Sequence, residues 1–157
     1  VATEEFLDSV SAAEARVQPA PGEWCAQEVI DHLVESHGPG VDELRSLLRS
    51  ARPSGGPIPA GLQSQAPLGR PWPALVGELK RLHAEILELL TKVPHGFASE
   101  ARAPLIMVVN MKKADGSDYP LEWIEDLDWK AYAVVFRLHE IDHLKQAKRA
   151  LAAARGS

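Results

Sequence analysis

DWKAYAVVFRLHEIDHLKQAKRAL, residues 128–151, is the stretch on which the fold turns. Asp128 stands where a helix cap belongs, and the spacing predicts one long last helix from there to about Ala154. Tyr132, Phe136, His139, His143, Ala147 and Ala150 recur at intervals of three and four and so share one stripe, while Arg137, Glu140 and Lys148 fall elsewhere. A stripe of that width belongs against a core, and two histidines lie on it. Lys145, Lys148, Arg149 and Arg155 gather toward the C-terminal end, where the helix dipole favours cations, and read as a solvated end rather than a docking patch.

Three further helical segments precede it. Thr3 is placed to cap a first helix with Glu4 and Glu5 in its opening turn and Phe6, Val10, Ala13 and Val17 at helical spacing; Pro19, Pro21 and Gly22 end it. A second begins at Trp24-Cys25-Ala26-Gln27-Glu28-Val29, with Cys25 at the cap, Glu28 at the reciprocal capping-box position and Trp24 placed to staple onto Val29. Its stripe is Val29, Leu33 and Ser36. Pro39, whose ring clashes with the carbonyl of Glu35, predicts a kink or break before Val41, Leu44, Leu47 and Leu48 resume the pattern to about Ser50. The third helix carries Leu75, Leu79, Leu82, Ile86, Leu89 and Val93 on one face, with charged residues outside.

Residues 51–72 are rich in Pro and Gly and read as an irregular connection. About 20 extended residues reach roughly 65 Å, twice a helix of that length, so the second and third helices need not be antiparallel and are expected to run parallel. Between Pro94 and Leu127, the β-rich Leu105–Val109, the turn signal Asp115-Gly116 and the loosely alternating Tyr119–Ile124 predict a small hairpin.

The 157 residues carry 17 Lys+Arg against 22 Asp+Glu, a net charge of −5, with one cysteine. That length suits a single domain, 1–157, with one core. The acidic balance lacks the basic footprint of a nucleic-acid binder. No apolar run is long enough to cross a membrane, and the acidic first twenty residues do not form a signal peptide, so a cytoplasmic protein is expected. A lone Cys25 excludes a disulfide framework and a four-thiolate zinc site, leaving His, Asp and Glu as metal ligands.

Residues four apart on a helix are separated by about 40° and about 6 Å, so His139 and His143 can share one ion; a pair of hydrogen-bonded core histidines fits the same spacing. The string His139-Glu140-Ile141-Asp142-His143 matches the metalloprotease pattern His-Glu-x-x-His, but no acid or histidine follows to act as third ligand, and Asp142 charges a normally apolar position. A third ligand is available upstream. His32 borders the stripe of the second helix, and with His139 and His143 it offers three neutral nitrogens and leaves open positions, as in a catalytic site.

Trp24-Cys25-Ala26-Gln27-Glu28-Val29-Ile30-Asp31-His32-Leu33-Val34-Glu35-Ser36-His37 resembles the helix-two signature of the DinB-like superfamily of metal-binding four-helix bundles, distinct from the DNA polymerase that shares the name. Leu127-Asp128-Trp129-Lys130, Arg137-Leu138-His139, Asp142-His143 and Gln146 resemble its last-helix signature. The resemblance covers essentially the whole chain. It implies an all-α four-helix bundle with up-down-down-up topology and long connections, and it implies His32, His139 and His143 as ligands of one divalent ion. Cys25, commonly Ser or Thr, and Pro39 depart from the pattern without removing a ligand. Characterised members include transferases and isomerases that use mycothiol, bacillithiol or glutathione.

The expected function is therefore group transfer to or from a low-molecular-weight thiol, or hydrolysis, at an open three-histidine site. The alternative is a non-catalytic, metal-binding or stress-related bundle. Zinc or nickel leads, and iron, manganese or copper is compatible with such ligands. The expected partners are a small-molecule substrate and a second copy of the chain. Glu35 is the candidate base, set against a solvated face, and Asp142 a candidate acceptor for a ligand imidazole, set against a surface acid. Cys25 sits where a helix dipole lowers a thiol pKa, yet about 10 Å along the axis from His32, too far for a ligand. Trp24, Trp123 and Trp129 read as packing residues, and nothing supports His83 or His95.

Overall fold

The computed structural model describes residues 2–156. Its elements are α1 (Ala2–Asp8), α2 (Ala12–Ala15), α3 (Ala26–Leu47), α4 (Trp72–Thr91), a hairpin of β1 (Ala103–Lys112) and β2 (Asp118–Leu127), and α5 (Trp129–Gly156). Asp128 caps α5 as the spacing predicts, its Oδ1 accepting from the Ala131 amide at 2.9 Å. The mostly helical chain thus carries one small antiparallel sheet.

The expected single first helix is two. Ser11 breaks it by capping α2: its Oγ accepts from the Glu14 amide at 3.3 Å, and Glu14 Oε2 accepts from the Ser11 amide at 3.0 Å. This reciprocal box was legible as Ser-x-x-Glu, and it outcompetes the apolar spacing from Phe6 to Val17. Val17 is accordingly exposed, and Thr3 is no cap but a buried residue inside α1.

The predicted break at Pro39 does not occur, because α3 runs unbroken from Ala26 to Leu47. Pro39 is exposed, so the carbonyl of Glu35 one turn earlier loses its amide partner on the outer side of the helix, within reach of water. Val34 and Val41 on the other side are both buried in one apolar cluster, which keeps both halves helical. At the start of α3 the Glu28 half of the capping box is made, with its Oε2 accepting from the Cys25 amide at 2.8 Å.

Contacts fix the sense of the long helices. Arg70, just before α4, pairs with Asp31, and Arg45 pairs with Glu85, so contacts advance together along α3 and α4 and the two run in the same direction. Tyr132 donates to Glu43 while His139 meets His32, so α5 runs against α3. The linker permits the parallel pair and holds a single short 3-10 turn, Pro67–Gly69.

Two apolar clusters form. One joins Val29, Leu33, Leu75, Leu79, Ala147 and Leu151, and the other joins Leu44, Leu47, Ala103 and Tyr132. On α5, His139 and His143 lie between the residues assigned to each. Glu140, read from sequence as lying off the core stripe, is also buried, at 6% exposure. Gly40 lets α5 approach: a Cβ there would stand 2.2 Å from Cε2 of Phe136. Gly40→Ala should therefore destabilise the protein by about 1–2 kcal/mol, overpacking outweighing the gain in helix propensity. The penalty should disappear in a Phe136→Leu background, measured by urea unfolding.

The hairpin is longer than the expected runs, pairing Ala103 with Leu127 through to Lys112 with Asp118, whose side chains also form an ion pair at 2.9 Å. Gly116 takes the positive φ (84°) that the turn demands. Trp123 lies on this exposed hairpin at 39% exposure, so it does not pack in the core. Trp24 and Trp129 do pack, each partly buried against one of the apolar clusters.

Candidate metal centre

His32 on α3 and His139 and His143 on α5 bring one ring nitrogen each within 4.8 Å of the others. The Nε2 atoms of His32 and His139 are 3.1 Å apart. Zinc–nitrogen bonds of about 2.0–2.1 Å separate two nitrogens of a tetrahedron by about 3.3 Å, so this spacing suits two ligands of one ion. The other ring nitrogens are held in place. His32 Nδ1–H donates to the Leu62 carbonyl at 2.7 Å, and His143 Nδ1–H donates to Gln146 Oε1 at 2.9 Å. A carbonyl or amide oxygen only accepts, so in both rings the proton sits on Nδ1 and Nε2 keeps its lone pair, as a metal ligand requires.

The electrostatics favour the same form. Burial lowers the pKa of all three histidines, His139 down to about 3, with the neighbouring imidazoles His143 and His32 adding to the shift at His139. Leu62 and Asp31 oppose it at His32, and Gln146 and Asp142 oppose it at His143. The rings are thus neutral at pH 7 and ready to coordinate. His32 is nearly enclosed at 3% exposure while His139 and His143 are half-buried, so access is from the α5 side.

This has a consequence for metal-free protein. The unfolded histidines titrate near 6.5 and the folded ones below it, so under pH 6.5 the unfolded state binds more protons and stability falls with pH. The expected slope is up to about 1.4 kcal/mol per pH unit for each histidine kept neutral, setting in below about pH 6.5. Denaturant midpoints of chelated protein should show it, and His139→Ala should flatten it; equal slopes would count against the buried neutral rings.

The Leu62 carbonyl reaches His32 because the linker is strapped to α3. Asp31, fully buried, accepts from the Ser64 amide at 2.8 Å, the Ser64 hydroxyl at 2.8 Å and Arg70 at 3.1 Å. Gln27 Nε2 donates to the carbonyls of Pro67 and Arg70, and Gln63 Nε2 donates to that of Glu28. Sequence reading missed this strap, since a Pro/Gly-rich segment carries no periodicity to align with a helix.

Other candidates sit as follows. Glu35 is half-buried and accepts from Arg70 at 2.7 Å. Asp142 is exposed and paired with Lys145 at 3.2 Å, a surface acid that acts on the imidazoles only through its charge. Cys25 is fully buried and burial raises its thiol pKa, the reverse of the helix-dipole expectation. Trp24 packs on His32 with ring centroids 5.4 Å apart. His95 is exposed. His83, unsupported by sequence, joins His37 and Glu140 in a second group of facing ligand atoms. Among the described residues, no helix is long and apolar enough to cross a membrane.

The family model of the DinB superfamily matches residues 1–147 of the chain. No curated protein and no solved structure matches it.

Proposed function

The chain belongs to the DinB superfamily, and from that membership and the disposition of its three imidazoles we propose a metal-dependent enzyme that transfers groups to or from a small thiol. The observation that carries the reading is the pair of Nε2 atoms 3.1 Å apart, one of them on a ring whose Nδ1–H is already committed to Leu62. His32, His139 and His143 hold the ion, zinc or nickel first. When bound, a divalent ion supplies Lewis acidity that favours the thiolate, or hydroxide for a hydrolysis, at neutral pH. Leu62 and Gln146 orient the rings, and Trp24 shields the enclosed side of His32. The same reading takes residues 1–157 as one up-down-down-up bundle, supported by the parallel sense of α3 and α4.

Glu35, one turn beyond His32, is proposed to take the thiol proton as its sulfur attacks the electrophile and the leaving group departs. Its carboxylate is shared with Arg70, which holds it in place. Metal-loaded protein should accelerate transfer between a small thiol and an electrophilic substrate, and chelated protein should not; equal rates would overturn metal dependence. Glu35→Gln should lower kcat by about 10²–10⁴-fold with bound metal unchanged. An unaltered rate would leave Glu35 as an anchor for Arg70 alone.

A further inference from the structure

Beside the three-histidine group lies a second cluster built from three different helices: His37 on α3, His83 on α4 and Glu140 on α5. One ligand atom from each lies within 4.8 Å of the others. His37 is 1% exposed, and both of its ring nitrogens lack a hydrogen-bond partner; Nε2 of His83 lacks one as well. A buried imidazole with no partner for either nitrogen forfeits its hydration without return, a cost of about 1–3 kcal/mol per unpaired group. Packing does not explain that cost, since an apolar residue would fill the space against Phe136, whose ring centroid is 4.3 Å from that of His37, without any loss.

Glu140 is equally unlike a surface acid. It is 6% exposed, and Thr3 at 3.0 Å and Arg137 at 2.8 Å meet its Oε1, while Nε2 of His83 stands 3.5 Å from the same atom without forming a hydrogen bond. Arg137 is half-exposed at 53% and so offsets the carboxylate charge only in part.

We propose that His37, His83 and Glu140 form a second divalent-cation site next to the three-histidine site. Two imidazoles and one carboxylate make a mixed nitrogen–oxygen set that suits iron(II), manganese or zinc. Ligands converging from facing helices are how bundle cores hold metals. Gly40 contributes by admitting Phe136, whose tilted ring packs against His37 and limits its rotation. The rings of His37 and His139 are 6.1 Å apart, so the two sites are neighbours that share a wall but no ligand.

The test is cobalt(II) bound per chain, by equilibrium dialysis and visible absorption, on the full chain and on His32→Ala, His83→Ala, Glu140→Gln and the double variant His32→Ala/His83→Ala. The expected stoichiometries are two for the unaltered chain, one for each histidine variant and none for the double variant. Glu140→Gln should weaken one of the two sites at least tenfold and keeps the proposal testable if His83→Ala does not fold. The two single-histidine variants should differ in absorption, because one retains a nitrogen–oxygen set and the other a nitrogen set. A single ion on the unaltered chain that survives in His83→Ala, or two ions surviving in both His83→Ala and Glu140→Gln, overturns the second site. Loss of all cobalt in His32→Ala with one ion kept in His83→Ala overturns it while leaving the three-histidine reading intact. A single ion on the unaltered chain that survives in His32→Ala and is lost in His83→Ala would instead leave the second site standing and overturn the three-histidine reading.

Discussion

His139→Ala is expected to abolish high-affinity metal binding at the three-histidine site and to remove the stabilisation that metal confers. An ion that binds only the native state adds RT ln(1 + [M]/Kd), about 2.7 kcal/mol at a hundredfold excess over Kd and about 4.1 kcal/mol at a thousandfold. The variant should forfeit that increment. In chelated protein the same change removes the packing of the His139 ring against His32, His143 and His37, a cost paid equally with and without metal. Thermal midpoints with and without chelator separate the two cases. A core histidine satisfied by a hydrogen bond would cost the same in both conditions. The contrast should recur for His32→Ala and His143→Ala, and His95→Ala on its exposed loop is the control. Full metal retention in the His32 variant would falsify the three-histidine site.

Asp31→Ala is the second large effect, and it acts through the strap. The carboxylate is fully buried and accepts three hydrogen bonds, two from Ser64 and one from Arg70. Hydrogen bonds to a charged group are each worth about 1.5–3 kcal/mol, and removing one partner of a buried pair costs about 3–5 kcal/mol. Arg70 is 31% exposed and keeps Glu35, so a loss of about 2–4 kcal/mol is expected by urea unfolding. Metal affinity should fall as well, by about 10–100-fold, because releasing Ser64 releases the Leu62 carbonyl that orients His32. Glu35→Ala, which touches only the half-exposed side of Arg70, should cost under about 1 kcal/mol. Equal effects from the two acids, with unchanged metal affinity in both, would show that the strap does not position the ring.

Local rules account for much of this molecule. Asp128 marks the start of α5, the four-and-three spacing of Leu75 to Leu89 marks α4, and Asp115-Gly116 marks the hairpin turn, because caps, helical stripes and tight turns are set by residues within a turn or two of one another. His139 and His143 belong to the same class, since their proximity follows from helix pitch. Where the structure departs from these rules the competitors are local too: Ser11-Glu14 overrides the apolar spacing of the first segment, and burial on both sides of Pro39 overrides the penalty of a proline in α3.

Other features depend on residues that are distant in sequence. That Leu62 faces His32, that Asp31 meets Ser64 and Arg70, and that His37, His83 and Glu140 converge are facts about three helices and a linker, separated by 30 to over 100 positions. No period links such residues. Glu140 shows the limit most plainly, for on its own helix it lies off the apolar stripe and reads as solvated. Only the packing of α1 and α4 against that side of α5, with Thr3 and His83 brought to its carboxylate, makes it a buried acid. Helix pitch is dictated by neighbouring residues, whereas the depth at which a charged side chain lies is decided by what the rest of the chain lays over it.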